Sequence, residues 1–556
     1  MKIDASAKIR HKICVILVLL IVKTIVSLCP DMVQYHRLIN DKIIGKKRQL
    51  NMMKKAYKII NIILIVFFSA LILARLFYNL GAYGIMDLDE GKHAVEAYEM
   101  FKRNAWIAHT YYWEIDYLNS KPPMYYWMTN VFFRLFGISF VTFKLPSCIA
   151  AVITAVMVSV YLFRSGKKLF KDSAFAISLV TLFLGVFLSM DKVYDYHGFR
   201  AGNFDSIYTL FMLAGMIFMI KAREDNKYLI PMGVFAGLAF LSKGFNATTI
   251  VFSALLCIPF LAKKERIKYI LYSVLAATLV VLPWAALRFR FDGTEFFYHM
   301  IFSEAEDKMI GGSLDYFRAF PELITFRLLF FGLIFYLVAR MTGAGSVKEF
   351  FTALLSDLKE NAILWIWFWV PILFYSYAGY CNEWYIYSSY VLAAVLFALH
   401  VVSGAKAIAG TKIYVKIAAA LAVIVFLGIS TADCIEQLGY YYLAGTGGGP
   451  AYQFWGDMKA IKEKYGDELQ GSYVYMEDIS RFDNVSVRHE VFYDNLAYAE
   501  FECDWHAMKG GIDAWENAED GILIINKDLW EMYMDRLIGH VILEDNGYLY
   551  FSHDMY

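Results

Sequence analysis

Charge is scarce in this sequence. Asp, Glu, Lys and Arg together make up 19% of the 556 residues, whereas 59% of the residues are hydrophobic. A water-soluble chain of this length needs a polar shell around its core, and the apolar residues here come in long runs rather than in amphipathic stripes. These features exclude a soluble globular protein and indicate one that crosses a membrane several times.

Motifs for metals, disulfides and nucleotides are also lacking. The seven cysteines include no CxxC pair and no metal-ligand spacing. His109 and His197 form no metal-ligand pattern with His299, Glu304, Glu383 or Tyr385, so we expect no structural metal, although a divalent cation is compatible with the sequence. A disulfide between Cys434 and Cys503 is compatible with the sequence but is not predicted, because spacing alone cannot show proximity. Neither a P-loop nor a GxGxxG fingerprint occurs, and basic residues form no groove-like patch. We therefore expect no required cofactor and no nucleic acid partner.

Apolar runs that are long enough to cross a bilayer, roughly 17–25 residues each, recur along the chain. They predict an α-helical polytopic membrane protein with about 11–12 transmembrane helices. A further run, residues 13–29, is interrupted by Lys23. It is an extra helix, an interfacial helix or part of an over-extended start, and we assign 1–56 to an N-terminal extension. The other runs begin near positions 57, 140, 173, 205, 228, 246, 268, 322, 361, 386 and 411.

The turns between these runs fall into two alternating sets. One set is basic, and the other is rich in acids, aromatic residues and longer loops. Because Lys and Arg accumulate in cytoplasmic loops, we predict a multi-pass plasma membrane protein whose second set of turns lies outside the cell. The basic turns are 46–55, 164–172, 221–227, 263–268 and the lysines at 406, 412 and 416, and the outer ones are 80–123, 191–204, 243–246, 288–321, 379–385 and everything after 433.

The composition of the sequence changes after residue 433. A glycine-rich stretch, GTGGGPAYQFW, leads into a polar region with a helical pattern over 452–465 and the strand-like segments GSYVYME and GILIIN. A closing segment, GHVILEDNGYLYFSH, has Asn-Gly at the turn of a predicted hairpin. We therefore predict a membrane domain over 57–433, with its first outer loop at 80–123, and a small extracytoplasmic α/β domain over 434–556.

An acidic cluster follows the first of these helices. Asp87, Asp89 and Glu90 begin the segment DLDEGKHAVEAYEMFK, whose apolar residues recur at helical spacing. Acids in a first helical turn stabilise the helix by capping and through its dipole, and Asp87 and Glu90 fit that role as well as a functional one. For Asp89 we favour a general base, whose basicity we expect reduced solvation to raise.

A lysine precedes two prolines in the segment NSKPPMYYW. Pro122 and Pro123 forbid helix at Lys121 but suit the first turn of a helix that follows. A cation at a helix N-terminus opposes the helix dipole, so helix stability explains Lys121 poorly. An anion bound by both the lysine and the helix N–H groups explains it better, and a lipid phosphate is the anion we expect.

Further polar residues stand on the predicted outer turns. Arg200 and Asp205 open a helix in HGFRAGNFDSIYTLF, where Arg suits a phosphate and Asp205 caps the helix or positions Arg200. Lys243 in LSKGF lies on an outer turn against the positive-inside trend, which favours a functional cation. Weaker candidates for substrate binding are His299, Glu304, Glu383 and Tyr385. The tyrosines and tryptophans of 111–127 form an interfacial belt, and some of them could stack on a sugar.

Taken in order, these motifs resemble the GT-C membrane glycosyltransferases, in particular the branch of protein O-mannosyltransferases and the lipid A aminoarabinose transferase. They are DE after the first helix, KPP about thirty residues on, R…D at a later helix start, and KG at an outer helix end, within roughly 57–400. The resemblance implies that Asp89 is the catalytic base, with Glu90 beside it, and that Lys121 contacts the donor phosphate. Ser120 stands where bacterial members often have Glu, which leaves the donor and acceptor preference open.

The resemblance also implies the reaction. A sugar would pass, with inversion, from a polyprenyl-phosphate donor to a hydroxyl of a glycan, lipid or protein, while Lys121, Arg200 and Lys243 neutralise the departing phosphate. A transporter or flippase of a lipid-linked anion is the alternative, although transporters place ionisable residues near the bilayer midplane. A receptor or assembly protein whose outer domain does the work is a third interpretation.

Overall fold

A computed structural model describes most of the chain. The N-terminal run 13–29, Asp87 and Glu304 lie outside the described residues, so the interpretations placed on them are not addressed by the structure. The described residues are 42–81, 84–85, 88–117, 119–194, 197–303, 311–320, 323–379, 381–408, 413–444, 450–469, 473–477, 497–545 and 548–553.

Helices dominate the part of the chain before residue 450. A helix begins within two residues of ten of the eleven predicted positions, and the remaining position, 57, lies inside a helix that begins at Lys42. Long apolar runs favour helix in a bilayer, because a helix satisfies its own backbone hydrogen bonds. The helices are α1 (Lys42–Phe77), α2 (Leu88–Lys102), α3 (Met124–Phe136), α4 (Phe140–Phe170), α5 (Ser173–Leu188), α6 (Asp191–Tyr194), α7 (Asp205–Ala222), α8 (Leu229–Lys243), α9 (Thr248–Cys257), α10 (Arg266–Asp292), α11 (Glu295–Tyr298), α12 (Asp315–Ala319), α13 (Ile324–Gly343), α14 (Val347–Glu360), α15 (Ala362–Ala378), α16 (Tyr387–Ala407) and α17 (Ile413–Ala444).

Length and apolar composition identify seven membrane spans in the described part of the chain, or eight when α14 and α15, bent by 66°, count as one, against the 11–12 predicted from the sequence. The apolar helix Ser173–Leu188 is shorter than a typical span, and the two runs predicted from 228 and 246 fall within one span. One of the seven, 226–260, doubles back. Its first residue, Asn226, donates 2.7 Å hydrogen bonds to the carbonyls of Ala262 and Lys264 just beyond its end, whereas a straight helix of this length would separate them by about 50 Å. Gly244, with φ of +56°, ends α8. Helices α8 and α9 therefore form a hairpin with the KG motif at its tip.

Helix α16 lies at the centre of the helical bundle. Its apolar stretch is 94% buried, and helices α5, α13 and α15 pack around it. A β-carbon added to Gly404 would lie 2.8 Å from the ring of Phe335, so α13 and α16 approach closely there. A helix that is apolar on every side is expected at such a central position.

The predicted outer turns meet at one end of the bundle, which we call the site end. Tyr316 donates a 2.5 Å hydrogen bond to the carbonyl of Asn382, and Lys192 pairs with Glu383 at 3.3 Å. These contacts join the turns of 191–204, 311–320 and 379–385. The predicted separation of the two sets of turns is thus confirmed for this end.

The basic turns meet at the opposite end. Lys168 pairs with Glu224, and Arg223 pairs with Glu360 at 3.6 Å, while Lys406 lies 5.2 Å from the ring centre of Phe170. The turns at 164–172, 221–227 and 406 therefore share one end, as the charge pattern predicted.

The C-terminal segment forms a small α/β domain, as predicted. Its strands are ordered β4–β3–β5–β7–β6, with β4, β3 and β5 parallel and the β5–β7 and β7–β6 pairs antiparallel. Helix α17 runs through the predicted boundary at 433. The segment His506–Met508, which has no strand signal in the sequence, forms the edge strand β4. The elements are α18 (Pro450–Leu469), β3 (Tyr473–Met476), β4 (His506–Met508), α19 (Gly511–Glu516), β5 (Ile522–Asn526), α20 (Trp530–Leu537), β6 (Val541–Asp545) and β7 (Tyr548–Ser552).

This domain packs on α2 and α3 at the site end. The ring of Phe501 stacks on Phe140 with centres 4.8 Å apart, and the Tyr498 hydroxyl accepts a 2.9 Å hydrogen bond from the Ile85 backbone N–H. Between α2 and α3 a short hairpin pairs β1 (Thr110–Tyr111) with β2 (Glu114–Ile115). The domain thus covers the helix that carries Asp89.

Candidate active site

The KPP and KG motifs touch at the site end. The two prolines end the extended segment at Lys121, and α3 begins directly after them at Met124, as predicted from the proline pair. Gly244, at the tip of the α8–α9 hairpin, packs on Pro122, and the side chain of Met300 covers Gly244. Two lysines from separate segments, Lys121 and Lys243, are therefore held beside one another.

Asp89 lies in the first turn of α2 and faces this lysine pair. Its side chain is 52% exposed, and one oxygen lies 3.7 Å from Nε2 of His197. The His197 ring stacks on Trp384, with centres 4.1 Å apart and planes 9° apart. Asn203 lies 2.5 Å from Nδ1 of His197, and its amide donates there, so we assign the ring proton to Nε2, which faces Asp89.

The charge state of this pair follows from its surroundings. Burial lowers the pKa of His197 to about 4, against the opposing charges of Asp205 and Asp89, so the ring is neutral at pH 7. Burial raises the pKa of Asp89, but His93, His197, Lys121 and Lys243 together lower it below its ordinary value. The expectation that reduced solvation makes Asp89 more basic is therefore wrong, because nearby positive charge outweighs the loss of water.

Lys243 is held by two neighbours. It forms an ion pair with Asp205, and both side chains are almost fully buried, at 5% and 1% exposure. Its Nζ also lies 4.5 Å from the ring centre of Tyr385, which in turn stacks on Tyr375. Asp205, at the start of α7, thus positions Lys243 and not Arg200.

Arg200 and Glu90 lie deeper than the lysines. The Arg200 guanidinium donates to the carbonyls of Arg75 and Tyr78 and lies 3.8 Å from the ring centre of Tyr441. Its side chain is 1% exposed. These contacts tie the end of α1 to α17, and the phosphate contact expected of Arg200 stays a prediction.

Glu90 occupies a fully buried position on α2. Its carboxylate accepts a 2.5 Å hydrogen bond from the backbone N–H of Gly202 and lies 3.4 Å from Lys144. Lys144 also donates to the carbonyl of Gly84. Glu90 therefore fastens α2 to α4 and to the loop before α7. The sequence predicted a catalytic role for Glu90 beside Asp89, and its contacts in the structure are those of a structural residue.

His299, a weaker candidate for substrate binding, lies at the edge of the site. His299 stacks on Tyr117, with ring centres 5.5 Å apart, and pairs with Glu295 at 3.3 Å. It precedes Met300, which covers the hairpin tip, so His299 borders the lysine pair. Asp89, Lys121, Asp205, Lys243 and Tyr385 come together, whereas His299 lies at the rim.

Sequence reasoning missed three residues that surround Asp89. His93 lies one helical turn after Asp89 on α2, so i, i+4 spacing could have identified it, and it contacts the Phe204 ring at 4.3 Å. Asn203 and Trp384 carry no such local signal. Their position around His197 depends on how the loop before α7 meets the turn before α16.

Comparison with known proteins shows which families and enzymes this chain is similar to. A family model described as dolichyl-phosphate-mannose-protein mannosyltransferase matches residues 120–286. The undecaprenyl phosphate-alpha-4-amino-4-deoxy-L-arabinose arabinosyl transferase 2 of Proteus mirabilis is 26% identical over 336 residues, and the corresponding enzyme of Enterobacter sp. is 25% identical over 324. The alignments cover 58% and 56% of this chain and 56% and 54% of the relatives, so the chain spans just over half the length of the curated relatives it matches.

The fold has a solved counterpart. ArnT from Cupriavidus metallidurans, crystallised with undecaprenyl phosphate, superposes with a TM-score of 0.62 at 16% identity, over 88% of this chain and 97% of that one. In its ordered motifs, its matching family model and its fold, this chain is similar to the GT-C membrane glycosyltransferases.

Proposed function

We propose that this protein transfers a sugar from a polyprenyl-phosphate donor to an acceptor hydroxyl, with inversion at the anomeric carbon. The observation that supports the proposal most is the half-exposed Asp89 carboxylate beside Lys121 and Lys243, which come from separate segments. Relatives that use an undecaprenyl-phosphate aminoarabinose donor support the donor class.

This arrangement suits a leaving group that is already an anion. A phosphate needs no proton from a general acid as it departs, and fixed cations in a partly dry site suffice to stabilise it. Lys121, next to the start of α3, contacts the phosphate, and Lys243 adds positive charge from its fixed position on Asp205. The bond between the anomeric carbon and the phosphate oxygen breaks as the acceptor oxygen bonds to that carbon.

Asp89 takes the acceptor proton. Its lowered pKa keeps the carboxylate ionised at neutral pH, and the His197 N–H orients the carboxylate without competing for the proton. His197 touches neither donor nor acceptor in this scheme and acts as a positioning residue through Asp89.

The site faces outward in this proposal. The basic turns at the opposite end favour a cytoplasmic location for that end by the positive-inside rule. The α/β domain would then lie outside the plasma membrane, where it covers α2 and borders the path of an acceptor glycan, lipid or protein.

Transfer of label from a polyprenyl-phosphate sugar tests the proposal. The protein, purified and placed in lipid nanodiscs, is incubated with undecaprenyl-phosphate donors that carry different labelled sugars, in the presence of cell-envelope lipids and glycans. We expect label in an acceptor and a loss of about 100- to 10,000-fold in rate for Asp89→Asn. Asp315→Asn, at an exposed acid of the same end, is the matched control and should retain the rate.

Two outcomes would contradict the proposal. Movement of intact donor across a vesicle membrane without transfer would indicate a flippase instead. An Asp89→Asn variant with wild-type transfer would remove Asp89 from the role of base.

A further inference from the structure

A second polar cluster lies on the protein-facing side of α2. Glu96 on α2 meets His109, just before β1, and Asp116, just after β2. All three side chains are buried, with residue exposures of 0%, 1% and 7%. A single ligand atom from each lies within 4.8 Å of those from the other two.

Hydrogen bonds orient two of these groups toward the middle of the cluster. Nε2 of His109 donates to the carbonyl of Asn119 at 2.7 Å, which leaves the lone pair of Nδ1 on the other side of the ring. One oxygen of Glu96, Oε2, accepts from the Asn119 amide at 2.6 Å and from the Tyr126 hydroxyl. The carboxylate is thus held in one orientation.

The other oxygen of Glu96 points to a ligand. Oε1 is buried and has no hydrogen-bond donor within the described residues. A buried carboxylate oxygen without a partner is costly, and the groups that lie around Glu96 include the Asp116 carboxylate and the His109 imidazole. A cation would satisfy Oε1.

Charge in the cluster leads to the same conclusion. Lys92 pairs with Asp116 at 2.9 Å and balances one of the two buried carboxylates. The second carboxylate, that of Glu96, has Nδ1 of His93 at 3.3 Å from its Oε2, and its charge is balanced by a proton, on Glu96 or on His93, or by a metal ion. A proton shared between Glu96 and Asp116 is the competing explanation.

We propose that Glu96, His109 and Asp116 bind one divalent cation, and that this cation is Zn²⁺. One imidazole and two carboxylates form a ligand set that zinc accepts, with water as a fourth ligand, whereas magnesium prefers oxygen ligands alone. Tetrahedral zinc at bond lengths of about 2.0–2.2 Å requires ligand atoms about 3.4 Å apart. Small side-chain rotations close the cluster to that size.

The site would join the two segments that carry the proposed reaction. Glu96 shares α2 with Asp89, and Asn119, which hydrogen-bonds to both Glu96 and His109, lies two positions before Lys121. A metal between α2 and the segment 109–116 would therefore set the spacing of Asp89 and Lys121. The expectation of no structural metal is revised on this proposal, because ligands 13 and 7 residues apart match no metal motif until the β1–β2 hairpin brings them together.

Metal content and zinc spectroscopy test the site without any assay of transfer. The full-length protein in detergent is stripped with chelator, incubated with one equivalent of Zn²⁺, dialysed and measured by mass spectrometry of metals. We expect one zinc per chain in the wild type and in His540→Ala, a histidine of the α/β domain, and at least a tenfold loss of bound zinc in His109→Ala. X-ray absorption of the wild-type protein should show one nitrogen and two or more oxygens at about 2.0–2.2 Å.

Other results would overturn the site. Wild-type protein that keeps no zinc at micromolar free metal would show that Glu96 and Asp116 share a proton instead. Sulfur ligands in the absorption spectrum, or equal zinc in the wild type and in Glu96→Gln, would place the metal elsewhere. Each of these experiments measures bound zinc and not activity. A negative result for the zinc site therefore leaves the proposed sugar transfer unaffected, and a negative result for sugar transfer leaves the zinc site unaffected.

Discussion

Pro122 and Gly244 touch across two loops: a β-carbon placed on Gly244 would lie 3.2 Å from Cδ of Pro122. The residues before them are Lys121 and Lys243, the two cations of the proposed phosphate site. The contact between Pro122 and Gly244 fixes the distance between the backbones from which the two long, flexible lysine side chains extend. The spacing of the lysines thus depends on a glycine and a proline that carry no charge.

Gly244→Ala should therefore lower transfer as well as stability. Gly244 has φ of +56° and ψ of −122°, a conformation that costs an L-residue roughly 1–3 kcal/mol, and the new methyl group would push Pro122 away. Gly293→Ala is the matched control, since Gly293 has nearly the same backbone angles, φ of +65° and ψ of −127°, but open space around it. We expect both variants to lose thermal stability in detergent and only Gly244→Ala to lose transfer rate, by about tenfold. Equal rates in the two variants would contradict the prediction.

The buried pair of Lys243 and Asp205 should show strong coupling. Removing one partner leaves an uncompensated buried charge, which costs about 3–5 kcal/mol. We expect Asp205→Asn to lower the free energy of unfolding by that order, and the double variant Asp205→Asn/Lys243→Met to recover most of it. Thermal unfolding of the single and double variants measures the coupling. Additive effects of the two substitutions would show that the pair is not a unit.

Arg200→Lys distinguishes a structural role from contact with the donor. A lysine cannot reach two carbonyls and lie on the Tyr441 ring together, so we expect a loss of about 1–3 kcal/mol in stability with little change in KM for the donor. Thermal unfolding and donor titration are measured on the same preparation. A rise in KM at unchanged stability would restore the phosphate contact that the sequence suggested.

The pH dependence of transfer should reflect the lowered pKa of Asp89. A carboxyl group whose pKa is lowered in the folded protein stays ionised through the pH range where a free carboxyl group titrates. It is protonated only at more acidic pH. Its contribution to stability is present above the unfolded pKa and is lost as pH falls through the folded one. We expect kcat/KM to stay flat between about pH 5 and 8, where Asp89 is ionised and His197 neutral. An acid limb near pH 6 to 7 that vanishes in Asp89→Glu would contradict this assignment.

The positions of the membrane helices and the separation of basic from acidic turns were predictable from the sequence. Both depend on local properties: a run of apolar residues, a proline pair, or a lysine beside a turn. The segment around Lys121 illustrates this, because Pro122 and Pro123 determine where α3 begins whatever packs against it. The α/β domain followed from the same kind of local pattern, except for the edge strand β4, which pairs in parallel with a distant strand.

The partners of the polar residues were not predictable in this way. Asp205 and Lys243 are separated by two helices along the chain, and Arg200 reaches carbonyls at the end of α1 only because the end of α1 and the start of α7 lie at the same level. Side chains of this kind choose partners across elements that are far apart in sequence, and hydropathy and spacing carry no information about that packing.

The sequence by itself determined which segments cross the membrane and which polar residues gather at one end, because burial of apolar surface and exclusion of charge from lipid act on each segment separately. Only the tertiary structure decided that Asp89 faces two lysines, that Glu90 and Arg200 are buried supports, and that Glu96 meets His109 and Asp116. Those outcomes depend on the relative positions of helices and loops, which are set by close packing between distant segments.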